Sequence, residues 1–227
     1  QSFAQQKHPS FTQQGNIYEV NIRQYTPEGT FNAFAKHIPR LKKMGVQTLW
    51  LMPIQPISNF GRKGTLGSYY AVADYTAINP EFGTMNDFNN LIKQAHDLGM
   101  KVIIDYVPNH SGADHPWLTT HPDFYEKDST GKPTFTADWS DTRELNFENK
   151  EMQDSMINTM KFWVNKTKID ANANLPFEFE DGVFHFVNVG GFRKEKNHLL
   201  LLQAFFILKH LPCKLIFVGG GVLEYDL

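Results

Sequence analysis

The stretch DYVPNH, residues 105–110, sets a carboxylate, an amide and an imidazole within one short run, directly behind the strand-like KVII of 101–104. A second stretch, PIQPISNFGRKGTLGSYYAVADYTAINPEFGT (53–84), follows another strand-like run and carries Tyr70 among further polar and aromatic residues. In a parallel α/β barrel, the residues that do chemistry sit at the C-terminal ends of strands and in the loops behind them. Asp105, Asn109, His110 and Tyr70 occupy such places, where their side chains can hold a polar ligand by hydrogen bonds and by an aromatic face. Taken singly they have plainer readings. Tyr70 can be a packed core aromatic, Asn109 and His110 loop-capping polar residues, and Asp105 an ion-pair partner that braces the fold.

The elements that must position these groups alternate between strand and helix. IYEVNI (17–22) predicts a short strand. TFNAFAKHIPRLKKMG (30–45) sets Phe31, Phe34, Ile38 and Leu41 at helical spacing and stops at a glycine. VQTLWLMP (46–53) predicts a buried strand closed by proline. TMNDFNNLIKQAHDLGM (84–100) predicts a helix with Thr84 as N-cap and Gly99 as its stop. KVIIDYVP (101–108) is a third strand, and KEMQDSMINTMKFWVNKT (150–167) a third helix. Between them runs a long loop, 109–147, which carries Trp117, Phe124, Tyr125, Phe135 and Trp139. Loops of this length are usually functional or disordered. Its aromatic content predicts a packed excursion from the end of the third strand. Beyond residue 182, VFHFVNVGG (183–191), a helix over 192–212 and CKLIFVGGG (213–221) predict a βαβ unit with glycines at its strand ends.

The composition excludes several classes. The chain has 227 residues, 41% apolar and 20% charged, which suits one large domain or two small ones. A net charge of -2 offers no field for nucleic acid or an anionic membrane. One cysteine, Cys213, rules out an internal disulfide framework. No apolar run approaches the roughly 18–20 residues that span a bilayer. The opening QSFAQQKHPSFTQQG is polar, lacks the apolar core of a signal peptide, and reads as a loose terminal arm over 1–16.

From about Ile17 to Asp170 the sequence resembles the α-amylase family of glycoside hydrolases. DYVPNH is similar to the family's first signature region. SYYAVADYTAINPEFGT is similar to its tyrosine segment, and DWSDTRELNFEN (138–149) to the segment that returns from the excursion to the barrel. Several blocks in the right order are more specific than any one of them. The resemblance implies that Tyr70 stacks on the sugar at the cleaved bond, that His110 hydrogen-bonds a sugar hydroxyl, and that Asp105 braces the site. It implies a calcium ion held by Asn109, whose neutral amide oxygen suits a hard cation. Glu144 stands where the family often has an aspartate near the calcium. The implied partner is an α-glucan or oligosaccharide, and such relatives are often secreted or periplasmic.

The same resemblance shows what the next stretch lacks. Retaining glycosidases use two carboxylates about 5–5.5 Å apart, one as nucleophile and one as acid/base. The family's nucleophile lies after the fourth strand, in a stretch like D-G-[FY]-R-x-D. Here WVNKTKID (163–170) leads up to it and then gives way to ANANLPFEFEDG (171–182). Counted from Asp170, the family's arginine falls at Ala173 and its nucleophile at Leu175. Neither side chain can do that work. Glu178, Glu180 and Asp181 are nearby carboxylates in the wrong context, and no later segment resembles the acid/base region.

Residues 186–221, FVNVGGFRKEKNHLLLLQAFFILKHLPCKLIFVGGG, resemble the nucleotide-sugar domain of two-Rossmann-domain retaining glycosyltransferases. That likeness aligns Lys196 with a phosphate-binding lysine, while the matching arginine falls at Gly191. The expected architecture is therefore α/β. Three βα units of an incomplete (β/α)8-type barrel, with the excursion loop 109–147, occupy residues 17–170. A junction at 171–182 and a Rossmann-like βαβ unit at 183–227 follow. The tail strands are expected to extend the sheet beyond the third strand, because an uncovered edge invites aggregation. The join has three readings: natural recombination, an engineered chimera, or an assembly error in the gene. The expected activity is that of an α-amylase-family hydrolase by ancestry, inactive in this chain because its catalytic carboxylates are missing. The alternatives are a non-catalytic carbohydrate or calcium binder, and a nucleotide-sugar-binding fragment that uses Lys196.

Overall fold

The computed structural model describes residues 16–169, 184–189 and 213–218. The chain divides into two compact units, Gly15–Ile169 and another that contains the two tail strands.

The first unit opens with β1 (Ile17–Val20). This strand ends sooner than its sequence suggests, because the Asn21 side chain accepts from the Gln24 backbone and caps α1 (Ile22–Tyr25). The helix expected over 30–45 is two pieces, α2 (Phe31–Ala35) and α3 (Ile38–Lys43). Pro39 accounts for the break. It has no N–H to donate, and its ring clashes with the carbonyl of the residue four positions back, which is the last residue of α2. β2 (Thr48–Leu51) follows, then the loop that carries Tyr70, then α4 (Met85–Asp97). Thr84 and Asp87 form a reciprocal capping box at the start of α4, and Gly99 leaves it at φ 66°.

β3 (Lys101–Ile104) pairs in parallel with β2, and β2 with β1, in the register Ile17–Thr48–Lys101 through Val20–Leu51–Ile104. The strand order β1-β2-β3 follows the chain. Parallel strands must be crossed by intervening segments, and here these carry helices that pack on one another: α2 meets α4. The core between them is aromatic. Phe31 and Phe88 are fully buried with ring centroids 5.1 Å apart, and Phe82 closes on Phe31 at 5.9 Å. Burial stabilises each such ring by about 1.5–3 kcal/mol.

The long loop is built, as its aromatics suggest, around a small antiparallel ladder. β4 (His110–Gly112) runs against β5 (Thr142–Glu144). Between them lie α5 (Trp117–Thr120) and a 3₁₀ turn at Pro122–Phe124. Phe124 and Tyr125 are buried and pack with Val72, Tyr75 and Leu145, while Trp117 packs at the edge of this cluster. Phe135 and Trp139 do not join it and are 42% and 44% exposed. The ladder is seated on the Tyr70 loop. Gly112 donates to the Val72 carbonyl at 2.7 Å, and a Cβ at Gly112 would lie 2.7 Å from the Ser58 side chain and 2.9 Å from that carbonyl.

α6 (Lys150–Thr167), capped by Asn149, completes the unit and packs on α4. It adds Met152 and Met156 to the excursion cluster. Its Trp163 indole donates to the Tyr75 carbonyl at 2.7 Å and meets Phe88 edge-on.

In the second unit, β6 (Phe184–Val189) and β7 (Cys213–Val218) pair in parallel, Phe184 with Cys213 through Val189 with Val218. Parallel pairing is what a βαβ unit requires. The helix expected over 192–212 lies outside the described residues. The two strands form a two-stranded sheet, order β6-β7.

Candidate functional site

Asp105 follows β3 immediately, and its backbone N–H continues the ladder by donating to the Leu51 carbonyl at 2.7 Å. Its carboxylate is thereby held at the C-terminal end of the sheet. Tyr70 arrives from the loop behind β2, and its hydroxyl donates to Oδ2 of Asp105 at 3.2 Å. Tyr70 is 37% exposed, so part of its surface stays open to a ligand. Partial burial pushes the Tyr70 phenol up to about 12, and the negative charge of Asp105 adds to the effect. The phenol therefore stays a neutral donor at any ordinary pH. Next to it, Tyr69 donates to the Asn21 side chain at 3.0 Å and lies under the Arg23 guanidinium, which anchors this part of the loop to the end of β1.

His110 begins β4 and is 7% exposed. The Asn109 amide nitrogen lies 3.1 Å from its Nδ1. An amide NH₂ can only donate, so Nδ1 accepts and the ring proton belongs on Nε2. Burial lowers the His110 pKa. A hydrogen bond to the Tyr70 backbone and the charges of Asp141 and Glu144 offset this only in part. The ring is thus neutral near pH 7. Its backbone carbonyl accepts from the buried Tyr75 hydroxyl at 2.7 Å, which fixes the start of β4 from behind. Hence Tyr70, Asp105, Asn109 and His110 form one connected group, two through the Tyr70 hydroxyl and two through the imidazole. Tyr70 is its open member, and His110 is enclosed.

Glu144 is the register partner of His110 on β5. Its carboxylate accepts from the Thr134 hydroxyl at 2.8 Å and from the Thr136 hydroxyl. Among the described residues, no group of three His, Cys, Asp or Glu side chains is placed to hold a metal ion. One atom nevertheless has the character of a cation ligand. Asp141 is buried, and its Oδ2 has no hydrogen-bond partner among the described residues. A buried carboxylate oxygen left unpaired is costly. The amide nitrogen of Asn109 is committed to His110, which leaves Oδ1 as its acceptor atom. By its unpartnered oxygen, Asp141 suits a hard cation better than Glu144, whose oxygens are engaged. Sequence reasoning passed over Asp141: it lies within the quoted DWSDTRELNFEN, but only its burial and its missing partner mark it.

Ala173 and Leu175, where the family's arginine and nucleophile fall, lie outside the described residues, as do Glu178, Glu180, Asp181 and Lys196. The likeness of the tail to a glycosyltransferase rests on its sequence alone.

With the geometry in place, known proteins supply the context. The α-amylase catalytic domain matches residues 2–143. Alpha-amylase 3 of Dictyoglomus thermophilum is 34% identical over 177 residues, covering 66% of this chain and 34% of that protein. The crystal structure of an alpha-amylase from Lactobacillus plantarum superposes with a TM-score of 0.65 at 42% identity, covering 66% of this chain and 36% of that one. The alpha-amylase of Geobacillus thermoleovorans, solved in complex with acarbose, gives a TM-score of 0.56 at 30% identity, with 70% and 39% covered. The chain spans about a third of the length of the curated relatives it matches, from 33% to 35% for three of them. With its matched residues running through β1, β2, β3 and most of the excursion, the chain belongs to the α-amylase catalytic-domain family.

Proposed function

We propose that residues 16–169 carry the glucan-binding half of an α-amylase-type site, and that this chain binds α-linked glucose oligosaccharides without hydrolysing them. One observation carries the reading. A half-open tyrosine ring is fixed by Asp105 at the C-terminal end of a parallel sheet, where this architecture does its chemistry. A flat aromatic face suits the apolar face of a pyranose. In this reading Tyr70 stacks on the sugar and Asp105 holds the ring in place. His110 donates its one ring N–H to the Tyr70 backbone and so positions the stacking residue.

The sequence behind Asp170 supports the non-hydrolytic part of this reading. The position of the nucleophile falls at Leu175, and general acid/base hydrolysis of a glycoside needs two carboxylates flanking the bond. We further propose a calcium ion beside the site, held by Asn109 and Asp141, with Glu144 left to its threonine partners. When bound, it would tie the start of the excursion to its return and neutralise the buried charge of Asp141.

Titration calorimetry with maltooligosaccharides, paired with a reducing-end assay, tests the reading. Saturable binding that weakens at least tenfold in Tyr70→Ala, with no reducing ends released, is the expected result. Release of reducing ends by the purified wild-type chain would overturn the non-hydrolytic reading. Binding that is unchanged in Tyr70→Ala would overturn the site.

A further inference from the structure

Seven large hydrophobic side chains are exposed among the described residues, and five of them, Phe60, Leu66, Tyr70, Phe135 and Trp139, lie in the loops behind β2 and β3. The other two, Ile17 and Met44, lie elsewhere. An exposed apolar cluster of this kind marks an interaction surface. Three of the five come together, Phe60 and Trp139 through their backbones and Phe135 through Arg143. Gly61, at φ 66°, approaches the 140–141 backbone so closely that a Cβ there would lie 2.8 Å from the Ser140 carbonyl oxygen. This brings Phe60 and Trp139, the neighbours of Gly61 and Ser140, onto adjoining segments. The Lys63–Asp138 ion pair at 3.0 Å holds the same two loops together. The Arg143 guanidinium lies 5.8 Å from the Phe60 ring centroid and 5.5 Å from that of Phe135, and it is tied down by donation to the Ser140 carbonyl at 3.0 Å.

This surface is continuous with the site already described. The Trp139 ring centroid lies 5.8 Å from that of His110, and His110 hydrogen-bonds the Tyr70 backbone. The Trp139 main chain is itself fixed. Its N–H donates to the Thr136 carbonyl at 3.0 Å, and its carbonyl accepts from both the backbone and the hydroxyl of Thr142. An indole that is 44% exposed on so constrained a turn is preorganised, and binding to it loses little conformational freedom.

We infer that Trp139, with Phe60 and Phe135 gathered around Arg143, forms a second sugar-binding platform that engages further glucose units of a chain already held at Tyr70. The chemistry favours carbohydrate over a protein partner. A pyranose presents an apolar face and a rim of hydroxyls, and this surface presents exposed ring faces with a guanidinium donor set among them. The inference rests on the glucan-binding reading above and adds to it a dependence on chain length.

The test uses the full 227-residue chain. Maltose and maltoheptaose are titrated into the wild type, Trp139→Ala, Trp139→Phe, Phe60→Ala and Tyr70→Ala, with near-ultraviolet circular dichroism as the check on folding. The expected result is that Trp139→Ala weakens maltoheptaose binding about tenfold and leaves maltose unchanged. Trp139→Phe should recover most of the loss, and Phe60→Ala should repeat it in milder form. Three results would overturn the platform: maltoheptaose affinity unchanged in both Trp139→Ala and Phe60→Ala while Tyr70→Ala binds poorly; equal loss for maltose and maltoheptaose in a folded Trp139→Ala; or self-association of the wild type that Trp139→Ala abolishes, which would assign the surface to a second copy of the chain. If the wild type binds neither sugar, the glucan reading itself fails and takes this inference with it.

Discussion

The Tyr70 hydroxyl donates to Oδ2 of Asp105 across 3.2 Å, and this bond joins two loops that are 35 residues apart. It orients a ring whose open face is the feature a sugar would meet. The bond and the ring can be separated by substitution. Tyr70→Phe keeps the ring and loses the donor, so maltooligosaccharide affinity should fall only about threefold, against tenfold or more for Tyr70→Ala. Equal losses in the two variants would mean that orientation by Asp105, and not the ring face, dominates.

Millimolar calcium should raise the thermal midpoint of the wild-type chain by several degrees, and a chelator should reverse the gain. Asp141→Asn removes the unpartnered buried carboxylate and keeps its volume. That variant should be no less stable than wild type without calcium and should not respond to the ion. Differential scanning calorimetry reads both, and a calcium response retained by Asp141→Asn would remove this residue from the ion's ligands.

The chain should lose stability as pH falls from about 6.5 towards 4. His115 is buried, accepts from the Trp117 backbone through Nδ1, and packs against the Tyr75 and Trp117 rings. Burial lowers its pKa to about 4, despite the opposing charges of Asp74 and Asp114. The unfolded chain takes up this proton near pH 6.5 and the folded one only near 4, so protons favour unfolding throughout that window. The stability at stake is on the order of 3 kcal/mol. Urea titrations at pH 7 and pH 4.5 should differ in midpoint, and His115→Gln should flatten the difference.

Gly112→Ala should destabilise by about 1–3 kcal/mol, because the added methyl meets the Ser58 side chain and two carbonyl oxygens of the Tyr70 loop. Most of those neighbours are backbone atoms and cannot step aside cheaply. The damage should also reach the site, since β4 carries His110 and rests on that loop. A thermal midpoint within a degree of wild type would show that the ladder can lift without cost.

The strand–helix alternation was legible because its elements carry their own signals: Thr84 before an amphipathic run, Gly99 after it. The break at Pro39 was also there to be read, but strong helical spacing on both sides masked it. The excursion's packing could be inferred from its aromatic content, though not which rings would be buried. Phe124 and Tyr125 look no different in sequence from Phe135 and Trp139, and only the fold of β4 on β5 sorts them. The site divides in the same way. Tyr70, Asp105, Asn109 and His110 sit in recognisable blocks. Asp141 carries no local mark, because an unpartnered oxygen is a property of surroundings that distant segments supply.

Tyr75 is where these distant segments meet. Its hydroxyl reaches the His110 carbonyl, 35 residues on, and its own carbonyl receives the Trp163 indole, 88 residues on. Contacts of such sequence separation cannot form until large loops have closed, and chains dominated by them fold slowly. The loop that carries Tyr70 is thus fastened in part by α6, although α6 supplies none of the site's side chains, and its final geometry depends on one of the last described segments of the chain to be made.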